Sequence, residues 1–213
     1  MKKIFVITAL AFVHQYSFAQ TKIGFMAGTT YSNYYSHVDG ESDTVDPGFG
    51  FTTGVVASIP LFKKISFQPM LNFTQKSAKE SYGTDQKETF TITTNHFEIP
   101  LNILYNTKTG SSIMFFGGGP SFSFALSGKM NYKSTSNPGD NSSQKIEFGN
   151  DDEDDFKPID AGLNITTGVR LKKGILIAVN YYHGFSNLFV DRNKDNKLLS
   201  RYWGLRIGYL IGK

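Results

Sequence analysis

Alternation with a period of two runs through most of this chain. In residues 49–61 (FGFTTGVVASIPL), 97–105 (FEIPLNILY), 159–171 (IDAGLNITTGVRL) and 203–211 (WGLRIGYLI), one parity is uncharged and mostly bulky. The other parity carries Gly, Ser, Thr, Asn and every charge present. A period of two marks a strand with two unlike faces. A face turned to lipid must be of the first kind, because Lys or Arg at a bilayer midplane costs roughly 2–4 kcal/mol.

Eight such stretches are predicted as strands, at about residues 21–31, 48–61, 64–76, 91–105, 111–127, 158–171, 174–186 and 201–212. The connections sort by length. Those at Phe62-Lys63, 106–110 (NTKTG) and Lys172-Lys173 are tight, whereas those after the first, third, fifth and seventh strands are long and polar. Short turns on one side and long loops on the other are the asymmetry of outer-membrane barrels, whose short turns are periplasmic. The pattern therefore predicts an all-β, eight-stranded antiparallel transmembrane up-and-down β-barrel with both ends on the periplasmic side.

Parity also assigns faces. Phe97, Ile99, Leu101, Ile103 and Tyr105 are expected outside on the fourth strand, and Trp203, Leu205, Ile207, Tyr209 and Ile211 on the eighth. Aromatics near strand ends, such as Phe49, Tyr105 and Tyr209, fit interfacial girdles. The fifth strand breaks the rule: Ile113 and Phe115 share one parity, while Phe122, Phe124 and Leu126 share the other. A bulge at 117–120 (GGGP) is expected to reconcile them. The Ser/Asn/Gly-rich run and acidic cluster within 128–158 read as a mobile loop.

Composition changes this picture in three places. Residues 1–19 combine Lys2 and Lys3, an apolar run over 4–13 and Ser17-Phe18-Ala19, and read as a secretory signal peptide, leaving 20–213 as the barrel domain. Without Lys2 and Lys3, basic residues exceed acidic ones by only two, so the basic balance is no argument for nucleic acid. The chain has no Cys, and beyond the signal no segment reaches the roughly 18 apolar residues of a helical span. In lipid, a chain without such a helix must close its strands into a barrel.

The polar parity places Glu98, Asn102, Asp160, Asn164, Arg170, Asn180 and Arg206 in the lumen. An eight-stranded interior is just wide enough for side chains to fill, so these groups are expected to plug it by bonding one another, with Glu98 and Arg206 as an ion pair. A small porin or secretion-associated component is the alternative that needs an open path. A lipid-modifying outer-membrane hydrolase would have to use His37, His96 or His183, but no GxSxG-like nucleophile motif is present. Asp191, Asn193 and Asp195 have the spacing of the first ligands of a calcium loop. Asn196, however, stands where Gly makes the turn, and Tyr202 stands where the bidentate Glu belongs. No cofactor is expected. A soluble ligand-binding barrel would reverse the faces, and its exterior would normally carry charge.

The segments FEIPLNILYN, FGGGPSFSFALSGK, FKPIDAGLNITTGVRL and GILIAVNYYHGFSNL, in that order, resemble the PorT-like outer-membrane β-barrel family of Bacteroidetes. KIGFMAGTTYSNY resembles that family's opening strand. The chain departs from the family at Asn180, where members often carry a basic residue, and at 210–213 (LIGK), where a terminal aromatic is common. The uncharged faces and long loops point to a monomer in contact with lipid and lipopolysaccharide that meets an extracellular or envelope protein partner through its loops. The family resemblance implies an eight-stranded barrel in the outer membrane of a Gram-negative bacterium. It assigns no chemistry.

Overall fold

The computed structural model describes residues 21–82, 88–190 and 195–212. The signal segment 1–19 and the calcium-loop positions Asp191 and Asn193 lie outside them. Ten strands follow one another: β1 (Lys22–Val38), β2 (Glu41–Thr44), β3 (Asp46–Pro60), β4 (Ile65–Tyr82), β5 (Glu88–Thr109), β6 (Ser112–Ser134), β7 (Ser142–Ile146), β8 (Ile159–Arg170), β9 (Ile175–Gly184) and β10 (Lys197–Ile211). Eight of them pair antiparallel in the order β1-β3-β4-β5-β6-β8-β9-β10, and β10 pairs back onto β1 from Ile23↔Ile211 to His37↔Lys197. The sheet is thus a closed ring. β2 and β7 are short additions that pair only with β1 and β6.

The ring is staggered. Followed across the strands from Gly24 through Val56, Ser121, Gly162 and Ser200, the register returns to β1 at Tyr34, ten residues further along. Such stagger tilts the strands by roughly 35–45° and fixes a narrow interior. Two of the short turns rest on glycine in the left-handed region: Gly110 at φ 61° and Gly174 at φ 90°. The strands run on to Thr109, so the β5–β6 turn is tighter than the expected 106–110.

Outward faces follow the alternation, with Phe49, Ile103, Ile165, Trp203, Leu205, Ile207 and Tyr209 all exposed. Aromatic pairs mark the two ends of this apolar belt. Tyr31 packs on Phe49 at 4.9 Å and Tyr181 on Trp203 at 4.8 Å toward the long loops; Tyr105 meets Phe116 at 5.5 Å toward the short turns. Beyond the belt β4, β5 and β6 continue further than the apolar pattern predicts. Their outward residues become polar and bond laterally: Gln75 Nε2 donates to Asn95 Oδ1 at 3.0 Å, and Asn95 Nδ2 to Ser127 Oγ at 3.0 Å. The apolar parity therefore records where lipid ends rather than where pairing ends.

Two expectations are corrected. β6 pairs with β8 without interruption from Ile113 to Phe124, so no bulge lies at 117–120; the register of β5 and β6 shifts instead at Asn95/His96. Phe116, Phe122, Phe124 and Leu126 face out on one parity, and Phe115 points into the lumen. The expectation failed because it assumed that large apolar side chains face lipid, whereas the short-turn half of the lumen is itself apolar. Phe115 packs there with Met26, Val56, Met70, Leu104, Leu176, Ala178 and Leu210.

The segment 128–158 is not a featureless loop either. β6 runs to Ser134 and turns back through β7, and Phe156 bridges to both Phe148 and Phe189. Ile146 and Phe156 then join Tyr34, Ala78, Leu188 and Leu198 in a second apolar cluster across the long-loop mouth. Polar composition suggests a chain unable to bury apolar area; Ile146 and Phe156, with Met130 and Phe148 packed against them, suffice because the barrel supplies the other half of the cluster.

Phe115→Ala is expected to lower unfolding stability by about 3–5 kcal/mol through the cavity left in the lumen. Phe116→Leu, one residue along and facing lipid, should cost less than about 1.5 kcal/mol. Urea titration of both variants folded into vesicles compares them.

Candidate functional site

Between the two apolar clusters lies a polar band that is the chemical centre of the molecule. Along each strand the residues opposite the lipid-facing set point inward, and their short polar side chains leave room for a few long charged ones. Glu98, Asn102, Asp160, Asn164, Asn180 and Arg206 are all buried in this band. Arg170 is apart from them. It is half-buried at the short-turn mouth, where its Nη1 donates to Ser58 Oγ at 3.2 Å.

Glu98 and Arg206 do not meet as the expected ion pair; Tyr202 stands between them. The Tyr202 hydroxyl lies 2.9 and 2.8 Å from the two Glu98 carboxylate oxygens, which it serves as donor, and accepts from Arg206 Nη2 at 3.2 Å. Thr74 Oγ1 and Ser121 Oγ donate to the same carboxylate at 2.9 and 3.1 Å. The guanidinium beside the phenol polarises its O–H toward the carboxylate, so the two charges are coupled through a neutral group.

The direct ion pair is a different one. Lys76 Nζ lies 3.4 Å from Asp160 Oδ2, with both side chains buried. Ser200 completes the triangle, accepting from Lys76 Nζ at 3.0 Å and donating to Asp160 Oδ2 at 2.6 Å. Lys76 also sits 4.6 Å from the centre of the Tyr182 ring, which stacks on Tyr202 at 5.3 Å. The two tyrosine faces thus link the Lys76–Asp160 pair to the Glu98–Tyr202–Arg206 relay. Beside them Asn180 Nδ2 donates to Asn164 Oδ1 at 3.1 Å and Asn164 Nδ2 to Asn102 Oδ1 at 2.9 Å.

Sequence reasoning missed Lys76, Tyr182 and Tyr202. Lys76 shares the even, inward positions of Ser66, Gln68, Asn72 and Thr74, but it stands at the very end of the strand expected over 64–76. The tyrosines were hidden by the assumption that aromatics belong to the girdles. A large ring with a polar tip is nonetheless the natural filler of a narrow polar lumen.

The three histidines among the described residues, His37, His96 and His183, stand apart from one another. His96 is buried and faces inward with Glu98, but its Nε2 lies 2.8 Å from Thr94 Oγ1, whose other neighbour is the Tyr34 hydroxyl at 2.8 Å. His37 meets Ser42 at the long-loop end, and His183 lies on the outward face beside Tyr181. Among the described residues no group of three or more His, Cys, Asp or Glu is placed to hold a metal ion.

The faces are those of a membrane barrel: uncharged residues outside, charged residues inside. The interior is filled along its length by apolar, polar and apolar layers in turn. A soluble barrel with an apolar ligand cavity requires the reverse arrangement.

A family model described as "Outer membrane protein beta-barrel domain" matches residues 18–190. No curated protein matches the chain. Among solved structures it is similar to the outer membrane protein OprG of Pseudomonas aeruginosa, at 11% identity and TM-score 0.49, over 92% of this chain and 97% of that one. It is also similar to Ail, the attachment invasion locus protein of Yersinia pestis, at 12% identity and TM-score 0.43, over 90% and 99% of the two chains. Neisserial surface protein A is similar at 12% identity and TM-score 0.41, over 87% and 96%.

Lys76→Met leaves Asp160 buried without its cation and is expected to cost about 3–5 kcal/mol of stability. Adding Asp160→Asn to the same chain should recover most of that loss in urea titrations. Tyr202→Phe removes the hydroxyl that joins Glu98 to Arg206, and a loss of about 1.5–3 kcal/mol is expected by the same measurement.

Proposed function

Because this chain belongs to the outer membrane protein β-barrel domain family, we propose that it is a PorT-like, non-enzymatic member that serves as a rigid stem in the outer membrane of a Gram-negative bacterium. Its partners meet it at the loops within 33–46, 77–90, 128–158 and 187–200. On this reading the export signal is cleaved, the barrel is a monomer, and its surroundings are outer-membrane lipid and lipopolysaccharide. The partner is an extracellular or envelope protein.

The observation that supports this reading best is the layered filling of the lumen. A polar band whose buried charges balance, two of each sign, is held between two apolar clusters. Filling of this kind favours a stem over a solute path, and the buried polar cluster has a structural role in it. The cap over the long-loop mouth adds a second argument. β7 and the Phe148–Phe156–Phe189 contacts give the largest loop a defined shape, and a defined shape is what recognition by a loop requires.

A photo-crosslinking residue placed at Ser143 or Asp152 in living cells should yield an adduct of discrete mass. The same residue at lipid-facing Leu205 should yield no protein adduct. Absence of adducts from positions in all four loops would rule out presentation as the function.

A further inference from the structure

Charge in this molecule is divided by height. No Asp or Glu occurs within 47–79, 99–139, 161–190 or 196–213, so all three short turns and the strand ends beside them are free of acid. The same turns carry Lys63, Lys64, Lys108, Lys172 and Lys173, each exposed. Lys22 at the start of β1 and Arg170 at the end of β8 add two more cations at this end. Among the described residues, every acidic residue other than lumenal Glu98 and Asp160 lies toward the long loops.

A ring of like charges repels itself and contributes nothing to closing the barrel. Its placement relative to the apolar belt is informative. Lys64 Nζ lies 5.6 Å from the centre of the Tyr105 ring, an outward-facing member of the girdle at this end. Leu61 and Phe62, both exposed, lie beside Lys63 in the same turn, and Leu171 precedes Lys172. The ammonium groups therefore stand where hydrocarbon gives way to headgroups. Two clefts of about 470 and 310 Å³ open between the turns, and Arg170 lines both, so its charge adds to the field at this surface.

We propose that the short-turn end is a seat for anionic phospholipid headgroups, with the turn lysines holding lipid phosphates of the adjoining leaflet. The surface is distinct from the loops that meet protein partners and does not depend on that role. Cations at headgroup level attract an anionic leaflet, and the attraction falls off within a Debye length. The seat therefore acts only on lipids in contact with the rim, and it fixes the depth at which the barrel rides.

The test uses the whole folded barrel in detergent, mixed with equal amounts of phosphatidylglycerol and phosphatidylcholine of matched chains. Native mass spectrometry then counts the lipids retained. The parent protein is expected to keep phosphatidylglycerol several-fold over phosphatidylcholine. Gln at Lys63, Lys64, Lys108, Lys172 and Lys173 should bring the ratio to about one, whereas Gln at Lys79, Lys129, Lys133, Lys145 and Lys197, at the opposite end, should leave it unchanged. Folding of each variant is checked by its gel shift on boiling. If the fivefold variant does not fold, the pair Lys172→Gln and Lys173→Gln should still lower the ratio measurably. A parent ratio of about one, or a ratio unmoved by the turn substitutions, overturns the proposal. Lysine-dependent binding of a polyglutamate peptide without lipid preference would assign the surface to an acidic protein instead.

Discussion

Closure of β10 against β1 is the constraint on which the rest of the structure depends. Lipid offers no partner to a free N–H or C=O, so a sheet that crosses a bilayer must satisfy every backbone group within itself. Fifteen consecutive residue pairs along the seam, from Ile23↔Ile211 to His37↔Lys197, meet that demand. Closing eight staggered strands fixes the diameter, and the diameter decides what the interior can be. Eight strands leave an interior just wide enough for side chains to fill. The lumen is therefore a core, with a core's rules on packing and on paired charge.

Those rules explain the layering. Apolar clusters flank the polar band on both sides, and the fully buried charges Lys76, Glu98, Asp160 and Arg206 lie within it. An unpaired charge there is severely destabilising, so Lys76 is matched by Asp160, and Glu98 and Arg206 are matched through Tyr202. The phenol adds what a direct contact would lack: a rigid ring that packs as well as bonds. Stacked on Tyr182, it ties two ionic groups on β4, β5, β8 and β10 into one unit.

Much of this was legible in the sequence because lipid imposes a binary rule, and a binary rule survives without knowledge of neighbours. Faces, strand order and turn positions followed from parity at residues such as Phe97, Ile165 and Trp203. What escaped was whatever the rule does not govern. Phe115 is apolar but lumenal, since lipid exclusion says nothing about an interior that is itself apolar. Lys76 and Tyr202 were on the correct parity, yet their pairing depends on register between distant strands, which no local pattern encodes. Residues 128–158 folded back because the barrel supplies apolar partners that the segment lacks, and composition alone counts only the segment's own.

The seam has a further consequence, in time rather than in space. It joins the first strand of the barrel to the last, residues separated by nearly the whole chain, so its loop-closure entropy cannot be recovered until the final strand exists. A chain truncated before Lys197 retains seven strands with two bare edges, the condition under which sheets pair with other molecules. Closure thereby couples all eight strands: until β10 is in place, the open backbone edges of the others have no partner, and lipid supplies none.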